Sequence, residues 1–212
     1  MYESPDEIDQ VEALIDRASE GDNSAMSELF ELYRAPLKQM VRIRMNRKLC
    51  GRVDASDIVQ DAYLEAARRL SDYASGLRAP FFLWLRKITG QRLIDAHRRH
   101  LGAQGRNAGV ELDLYGQHPP VASSIMLAKA LLGGLTSPTQ AAVKAETRAA
   151  IQDALACMSR LDQEILSLRH LESLSNIEAA QELEIEPAAA SKRYLRALQR
   201  LRVILVEAGV VD

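Results

Sequence analysis

The sequence has few cysteines and no long apolar run, and each shortage excludes a class of protein. Its two cysteines, Cys50 and Cys157, lie far apart and form no Cys-x-x-Cys or Cys-x-x-His spacing, so the sequence predicts neither a zinc site nor a disulfide framework. No run of about twenty apolar residues is present, and the N-terminus lacks the apolar segment of a secretion signal. We therefore expect a protein of the reducing cytoplasm, with no membrane association and no cofactor.

Strand-like alternation of apolar and polar residues is also scarce. Helical spacing recurs instead, together with helix punctuation: Pro80 suits the first turn of a helix, and Ser175 with Glu178 forms a capping box. A chain of 212 residues that is 47% apolar can build two small cores or one of ordinary size. The sequence predicts an all-α fold.

Glycine and proline interrupt the helical pattern between about residues 101 and 146, where only 124–132 has the spacing of a short helix. A connection of this length inside one compact domain is unusual. We therefore predict two small helical domains, at residues 5–105 and 145–212, joined by a flexible linker over 106–144.

Charge is segregated along the chain. The net charge of −2 and the pI near 6.1 would argue against nucleic acid if charge were spread evenly. Acids dominate the first 35 residues, however, and three later segments are basic: 38–52, 86–106 and 192–202. Because a polyanion responds to local patches within a Debye length, these segments are candidate nucleic-acid surfaces.

An acidic stripe is predicted on one helix. Asp57, Asp61 and Glu65 follow one another at intervals of four, which places them on one edge. The opposite side is predicted to be buried and consists of Val59, Ala62, Tyr63, Ala66 and Leu70. The acidic edge suits a basic partner, and the alternative is an ordinary solvated helix face.

A basic helix with aromatic residues is predicted next in the chain. Its buried part is Phe81, Trp84, Leu85 and Ile88. A mobile loop over residues 71–78 is predicted before it, with Tyr73 either stacking on a base or simply exposed. A positive groove beside such a loop suits a single strand with splayed bases. The candidate contacts on this helix are Arg86, Lys87, Gln91, Arg92, Asp95, Arg98 and Arg99.

The C-terminal segment reads as three helices at 162–171, 175–183 and 187–206. The three-residue turn between the last two is typical of a helix-turn-helix unit, whose second helix enters the major groove. Its outer face is predicted to carry Lys192, Arg193, Arg196, Arg200 and Arg202, which can neutralise phosphates. Ser191, Lys192 and Arg193 are the candidate base readers. An arginine-rich solvated helix is the alternative.

The order of these motifs resembles the extracytoplasmic-function (ECF) group of bacterial RNA polymerase sigma factors. Asp57, Gln60 and Asp61 match the family's acidic Asp-x-x-Gln-Asp/Glu helix, which binds the polymerase clamp helices. The helix that opens and reads the minus-ten element is matched by Phe81, Trp84, Leu85, Ile88, Asp95 and Arg98. The helix that reads the minus-thirty-five element is matched by Arg193, Arg196, Ala197, Leu198, Leu201 and Arg202.

The resemblance implies a sigma factor that binds core RNA polymerase, recognises promoter DNA and promotes strand opening. The implied polymerase-binding residues are Asp57, Gln60, Asp61 and Glu65. The implied minus-ten set is Arg86, Lys87, Gln91, Arg92, Asp95, Arg98 and Arg99, and the minus-thirty-five set is Ser191, Lys192, Arg193, Arg196 and Arg200. Duplex and melted promoter DNA are the implied partners, an anti-sigma factor is a candidate partner, and no obligate homo-oligomer is expected.

The sequence departs from the family pattern at three places. It has Gly90-Gln91 where many members have Arg-Asn, Ala189-Ala190-Ser191 where Thr-Val-Lys is common, and Glu184 where the turn usually has glycine. The promoter sequence is therefore not predicted.

Two other functions compete with a sigma factor. An autonomous helix-turn-helix regulator fits the C-terminal helices, although no dimerisation heptad is present. A metal enzyme would need Asp95, His97 and His100 as ligands, yet Asp95 lies about 200° from His97 on a helix.

Overall fold

The computed structural model describes residues 5–45, 49, 51–76, 79–101, 154–155 and 157–207. All regular elements in these ranges are helices, which confirms the all-α prediction. They are α1 (Pro5–Ser19), α2 (Asn23–Arg44), α3 (Ala55–Ser75), α4 (Phe81–Leu101), α5 (Arg160–His170), α6 (Asn176–Glu182) and α7 (Pro187–Glu207). Within the described ranges, no helix combines the length and apolar character needed to cross a membrane.

The chain divides into two compact units, Met1–Pro120 and Val121–Asp212. Helices α1 to α4 belong to the first unit, and α5 to α7 to the second. The predicted linker at 106–144 and the predicted short helix at 124–132 lie outside the described residues, so the predicted domain bounds remain a prediction.

In the N-terminal unit, α2 supplies the centre of the core. Its Leu29, Leu37 and Met40 have no exposed surface, and Ala62 of α3 and Leu93 of α4 are equally buried. Side chains bury their apolar surface with a gain of about 25 cal/mol per Å². This core fixes the faces that α3 and α4 present to solvent.

Aspartate side chains begin the two central helices. Asp22 accepts hydrogen bonds from the backbone N–H of Ser24 at 2.9 Å and of Ala25 at 3.2 Å. The Arg17 guanidinium, which donates to Asp22, holds the pKa of this carboxyl below its usual value. Asp54 accepts from the Ser56 backbone N–H at 2.6 Å and starts α3. Each cap satisfies donors that the first helical turn leaves without a partner.

Helix α3 is longer than predicted, so the expectation of a loop at 71–78 is wrong for residues 71–75. Tyr73 is buried and packs against Phe81 and Trp84, with ring centroids 5.5 and 4.5 Å away. Its hydroxyl donates to the Ala79 carbonyl oxygen at 2.6 Å. Tyr73 is therefore neither a base-stacking nor a surface residue. Gly76 follows the end of α3, and residues 77 and 78 of the predicted loop lie outside the described residues.

The C-terminal unit packs its helices closely through small residues. Ala179 and Ala180 of α6, and Ala190 and Ala197 of α7, are essentially fully buried, as is Ile165 of α5. The helix bounds lie within two residues of those predicted. Short side chains at the contact let α6 and α7 approach closely.

Candidate functional site

The acidic stripe lies on the exposed edge of α3. Ile58, Val59 and Ala62 face the core, whereas the side chains of Asp57, Gln60 and Asp61 are exposed. The predicted division of the helix into a buried and an acidic side is therefore present. Tyr63 is half-buried rather than fully buried, and its ring packs against that of Phe30 with centroids 4.5 Å apart and planes tilted by 47°.

Glu65, the last acid of the stripe, is partly neutralised within its own helix. Its carboxylate contacts the guanidinium of Arg69 and lies 3.6 Å from that of Arg68. Asp57 and Asp61 present more of their charge to solvent than Glu65, whose side chain is 16% exposed. A basic partner would therefore meet the strongest negative potential at the N-terminal half of the stripe.

A surface groove joins this stripe to the basic part of α4. Its volume is about 570 Å³. Asp95 pairs with Arg92 at 3.4 Å and accepts a hydrogen bond from the Gln91 amide at 3.2 Å. Acidic and basic candidates from two predicted sites thus line one groove, and the lining side chains are Asp61, Leu64, Glu65, Arg68, Arg92, Asp95, Arg98 and Arg99.

Most of the predicted contact residues of α4 are accessible, but one is not. Lys87, Gln91, Arg98 and Arg99 are exposed. Arg86 is fully buried, so its predicted place on a DNA-binding surface is wrong. The reason is that α4 is buried over a wide face: the positions three and four residues from Arg86 on the helix, Phe82, Leu83, Thr89 and Gly90, are buried as well. Arg92 and Asp95 are half-buried in the groove.

The aromatic side chains of α4 belong to the core and its rim. Phe81 is buried, whereas Trp84 is half-buried and lies 5.4 Å from the Phe81 ring centroid. The prediction that this set is mainly structural is consistent with these contacts. Trp84 is the member that also reaches the surface.

His97 is buried near the end of α4, and burial lowers the pKa of its imidazole to about 4. It is therefore neutral at physiological pH. Asp95 lies in the groove and His100 is exposed, so the three residues of the rival metal site do not face one another. In the part of the chain that the structure describes, no group of three or more His, Cys, Asp or Glu side chains is placed to hold a metal ion.

In the C-terminal unit, a capping box fixes the start of the helix-turn-helix. The Glu178 backbone N–H donates to the Ser175 hydroxyl at 3.2 Å, and the Ser175 backbone N–H donates to the Glu178 carboxylate at 2.6 Å. The turn after α6 passes through Glu184, whose φ of 53° lies in the left-handed region. The resemblance described above implies glycine at this position, and glycine adopts such a backbone conformation without steric cost.

The polar residues of α7 fall into two groups. Ser191, Lys192 and Arg196 are exposed, as is Leu195 with 57% of its surface accessible. Arg193 and Arg200 instead contact the carboxylate of Asp162 on α5. The five predicted cations therefore do not have equivalent surroundings: Arg193 and Arg200 lie against α5, although the Arg200 side chain remains 60% exposed.

Two residues of this surface were missed by the sequence reasoning. Asp162 is buried, and nothing in its local spacing marks it as the partner of cations that lie 31 and 38 residues later. Leu195 was overlooked because an apolar residue in an amphipathic helix is ordinarily assigned to the core. A helical-wheel projection from the buried Ala190 and Ala197 would have placed Leu195 on the outer face.

Comparison with known proteins gives a consistent result. A family model described as ECF sigma factor matches residues 8–205. The ECF RNA polymerase sigma factor SigD of Mycobacterium bovis is 26% identical over 201 residues, which cover 95% of this chain and 86% of the relative. SigD of Mycobacterium tuberculosis H37Rv shows the same identity and coverage.

A solved structure of similar fold is that of CnrH in complex with the cytosolic domain of CnrY. The TM-score is 0.54 at 20% sequence identity, with 93% of this chain and 98% of that chain covered. The fold of this chain is therefore similar to that of CnrH.

Proposed function

Because the chain belongs to the ECF sigma factor family and so acts with RNA polymerase in promoter recognition, we propose a specific role for each charged surface of the two units. The observation that carries the proposal is the opposition of charge: the N-terminal half of α3 presents the exposed carboxylates of Asp57 and Asp61, whereas α4 and α7 present exposed cations. Core polymerase and DNA therefore meet different helices.

The acidic edge of α3 docks on core polymerase. Asp57, Gln60 and Asp61 are exposed on a helix whose other side is fixed in the core, so they meet a partner without rearranging. Glu65 contributes at the end of the edge, where Arg68 and Arg69 reduce its charge. Complementary charge of this kind favours fast and selective association.

The exposed side of α4 holds the melted minus-ten strand. Lys87, Arg98 and Arg99 supply positive charge for the phosphates, and Gln91 offers both a donor and an acceptor to a base. Arg92 and Asp95 line the adjoining groove, where their ion pair orients both side chains. Arg86 is not part of this surface because it is buried.

Helix α7 binds the minus-thirty-five duplex. Ser191 and Lys192 lie near its N-terminus, where recognition helices meet base edges, and Arg196 lies one turn further on. Leu195 is exposed between them and is suited to contact a thymine methyl group. Arg193 and Arg200 contribute charge from the flank.

We further infer that the protein works in the cytoplasm, where core polymerase and the chromosome are present. Strand opening is then stoichiometric work by bound protein rather than enzyme turnover. CnrH, whose fold is similar, is found in complex with the cytosolic domain of CnrY, which supports the idea that this chain also has a protein partner, an anti-sigma factor.

Charge reversal at Asp61 tests the docking role. Asp61→Lys should abolish co-elution of the chain with bacterial core RNA polymerase on gel filtration, because it places a cation in the middle of the acidic edge. Glu12→Lys makes the same charge change at an exposed position of α1 and should leave co-elution intact. Full binding by Asp61→Lys would show that polymerase docks elsewhere, and failure of the unaltered chain to bind would favour the autonomous regulator.

Charge reversal at Arg196 tests the duplex-binding role. Arg196→Glu should weaken binding of the polymerase complex to promoter duplex and reduce its salt dependence by roughly one phosphate contact, about 0.9 in the slope of log K against log salt. Arg34→Glu, at an exposed surface ion pair in the other unit, is the matched control. Equal binding by both variants would remove α7 from the interface.

A further inference from the structure

A buried carboxylate ties α5 to the DNA-facing helix α7. The Asp162 side chain is only 2% exposed, and its Oδ1 lies 3.3 Å from Nη1 of Arg193. Its Oδ2 contacts Nη1 of Arg200. Truncating a buried ion pair on one side is generally destabilising, because the remaining charge stays in a poorly solvated place. The three side chains therefore act as one unit.

The two arginines occupy equivalent positions on α7. They are seven residues apart, which is close to two helical turns, so they lie on one flank about 10 Å apart. Their side chains are 36% and 60% exposed, so part of each guanidinium faces solvent. A guanidinium has five N–H donors, and contact with Asp162 through Nη1 leaves donors directed outward.

We propose that Asp162 is a positioning residue for duplex binding: it holds Arg193 and Arg200 in one conformation, in which their outward donors meet phosphates beside the major groove. This inference rests on the proposed duplex-binding role of α7. Long side chains lose rotamer freedom when they bind, and arginines that are already ordered lose less. The carboxylate thereby favours binding to a polyanion that it would otherwise repel.

Whether loss of the Asp162 carboxylate strengthens or weakens DNA binding distinguishes a positioning role from simple electrostatics. Removal of a carboxylate beside a phosphate-binding helix should strengthen DNA binding if only net charge matters. Removal of a carboxylate that orders two phosphate-binding arginines should weaken it. Asp162→Asn, which keeps the size of the side chain and removes its charge, therefore distinguishes the two.

The test measures filter binding of the full-length chain to a radiolabelled, mixed-sequence duplex about three helical turns long, over a salt series. Asp162→Asn should bind about tenfold more weakly at low salt, because two side chains must then be ordered on binding. Its salt slope should also fall by about 1. The matched control is Glu186→Gln, which removes an exposed carboxylate next to α7 and should bind equally well or more tightly.

A second variant keeps the test decisive if Asp162→Asn does not fold, as judged by circular dichroism. Arg193→Lys combined with Arg200→Lys conserves charge but removes the planar guanidinium that Asp162 orients, and it should also bind about tenfold more weakly. Arg34→Lys, the same exchange at an exposed position of the other unit, should change binding little. Asp162→Asn added to the double lysine variant should cause no further loss.

Three results would overturn the positioning role: folded Asp162→Asn binding as tightly as the parent or more tightly, unchanged binding by the double lysine variant, or a further loss when the changes are combined. Arg196→Glu tests separately whether α7 binds the duplex at all. If it too leaves duplex binding unchanged, α7 is not the duplex-binding helix and the proposed function fails there. If it weakens binding while Asp162→Asn does not, only the positioning role fails.

Discussion

Neighbouring cations in this chain have very different surroundings. Arg86 and Lys87 adjoin in the sequence, yet Arg86 is fully buried and Lys87 is exposed. Apolar spacing predicted the inner positions Phe81, Leu85 and Ile88, but it could not show how wide the buried face of α4 is. That width depends on how α2 and α3 pack around the helix, which is a property of the tertiary structure.

Long-range ion pairs escape sequence reasoning for the same reason. The stripe of Asp57 and Asp61 was predictable because its members share one helix and a period of four. The contact of Asp162 with Arg193 and Arg200 joins two helices, and no local period encodes it. The exposure of individual charged residues was thus predictable where it followed from helix periodicity alone.

His97 should make the N-terminal unit sensitive to acid. Its pKa is about 4 in the folded protein against 6.5 ordinarily, so the unfolded chain binds the proton more tightly. The stability of the folded unit with a neutral His97 is therefore fully present above the ordinary pKa, and part of it is lost as the pH falls from about 6.5 towards 4. Between pH 7 and pH 5 we expect the free energy of unfolding to fall by about 2 kcal/mol.

Urea unfolding followed by circular dichroism at the two pH values, with an NMR titration of the imidazole, checks this expectation. His97→Leu should flatten the pH dependence of the N-terminal unit, whereas His100→Leu, at an exposed position, should preserve it. An imidazole that titrates near its ordinary pKa would contradict the burial argument.

At the scale of elements, the helices were predictable from the sequence, whereas the backbone strain in the turn between α6 and α7 was not. The capping box at Ser175 and the apolar period located α5 to α7 to within two residues, because these signals act within one or two turns of helix. The end of α3 was misjudged, since Tyr73 continues the helix by packing its ring on Trp84. Tertiary packing decided that boundary.

The turn between α6 and α7 is strained at Glu184. A non-glycine residue at a φ of 53° loses about 1 kcal/mol relative to right-handed backbone. Glu184→Gly should therefore raise the free energy of unfolding of the C-terminal unit by up to about 1 kcal/mol. Thermal unfolding measures the change.

Gln181→Gly is the matched control because it places glycine at an exposed position inside α6, and it should lower the same free energy by about 1 kcal/mol. Destabilisation by both variants would mean that the Glu184 side chain has a role which outweighs its backbone strain.

At the scale of the whole molecule, each unit has its own buried core. Leu29 and Leu93 centre one, and Ile165 and Ala197 centre the other. We therefore expect residues 5–105 and 145–212 to fold when expressed separately, with the second fragment the less stable because a domain of that size buries a smaller share of its surface. Cooperative urea unfolding of each fragment checks this.

The fragments should also divide the binding activities. Residues 5–105 should retain binding to core polymerase, and Asp61→Lys should remove it; residues 145–212 should retain duplex binding, and Arg196→Glu should weaken it. Loss of cooperative unfolding in either fragment would show that the predicted boundaries cut through a core.

Trp84 gives the molecule a built-in optical reporter. It is the single tryptophan of the chain and lies half-buried beside Tyr73 and Phe81. Intrinsic tryptophan emission therefore comes from the N-terminal unit. A strand or polymerase element that covers the rim of α4 should shift this emission without any added label.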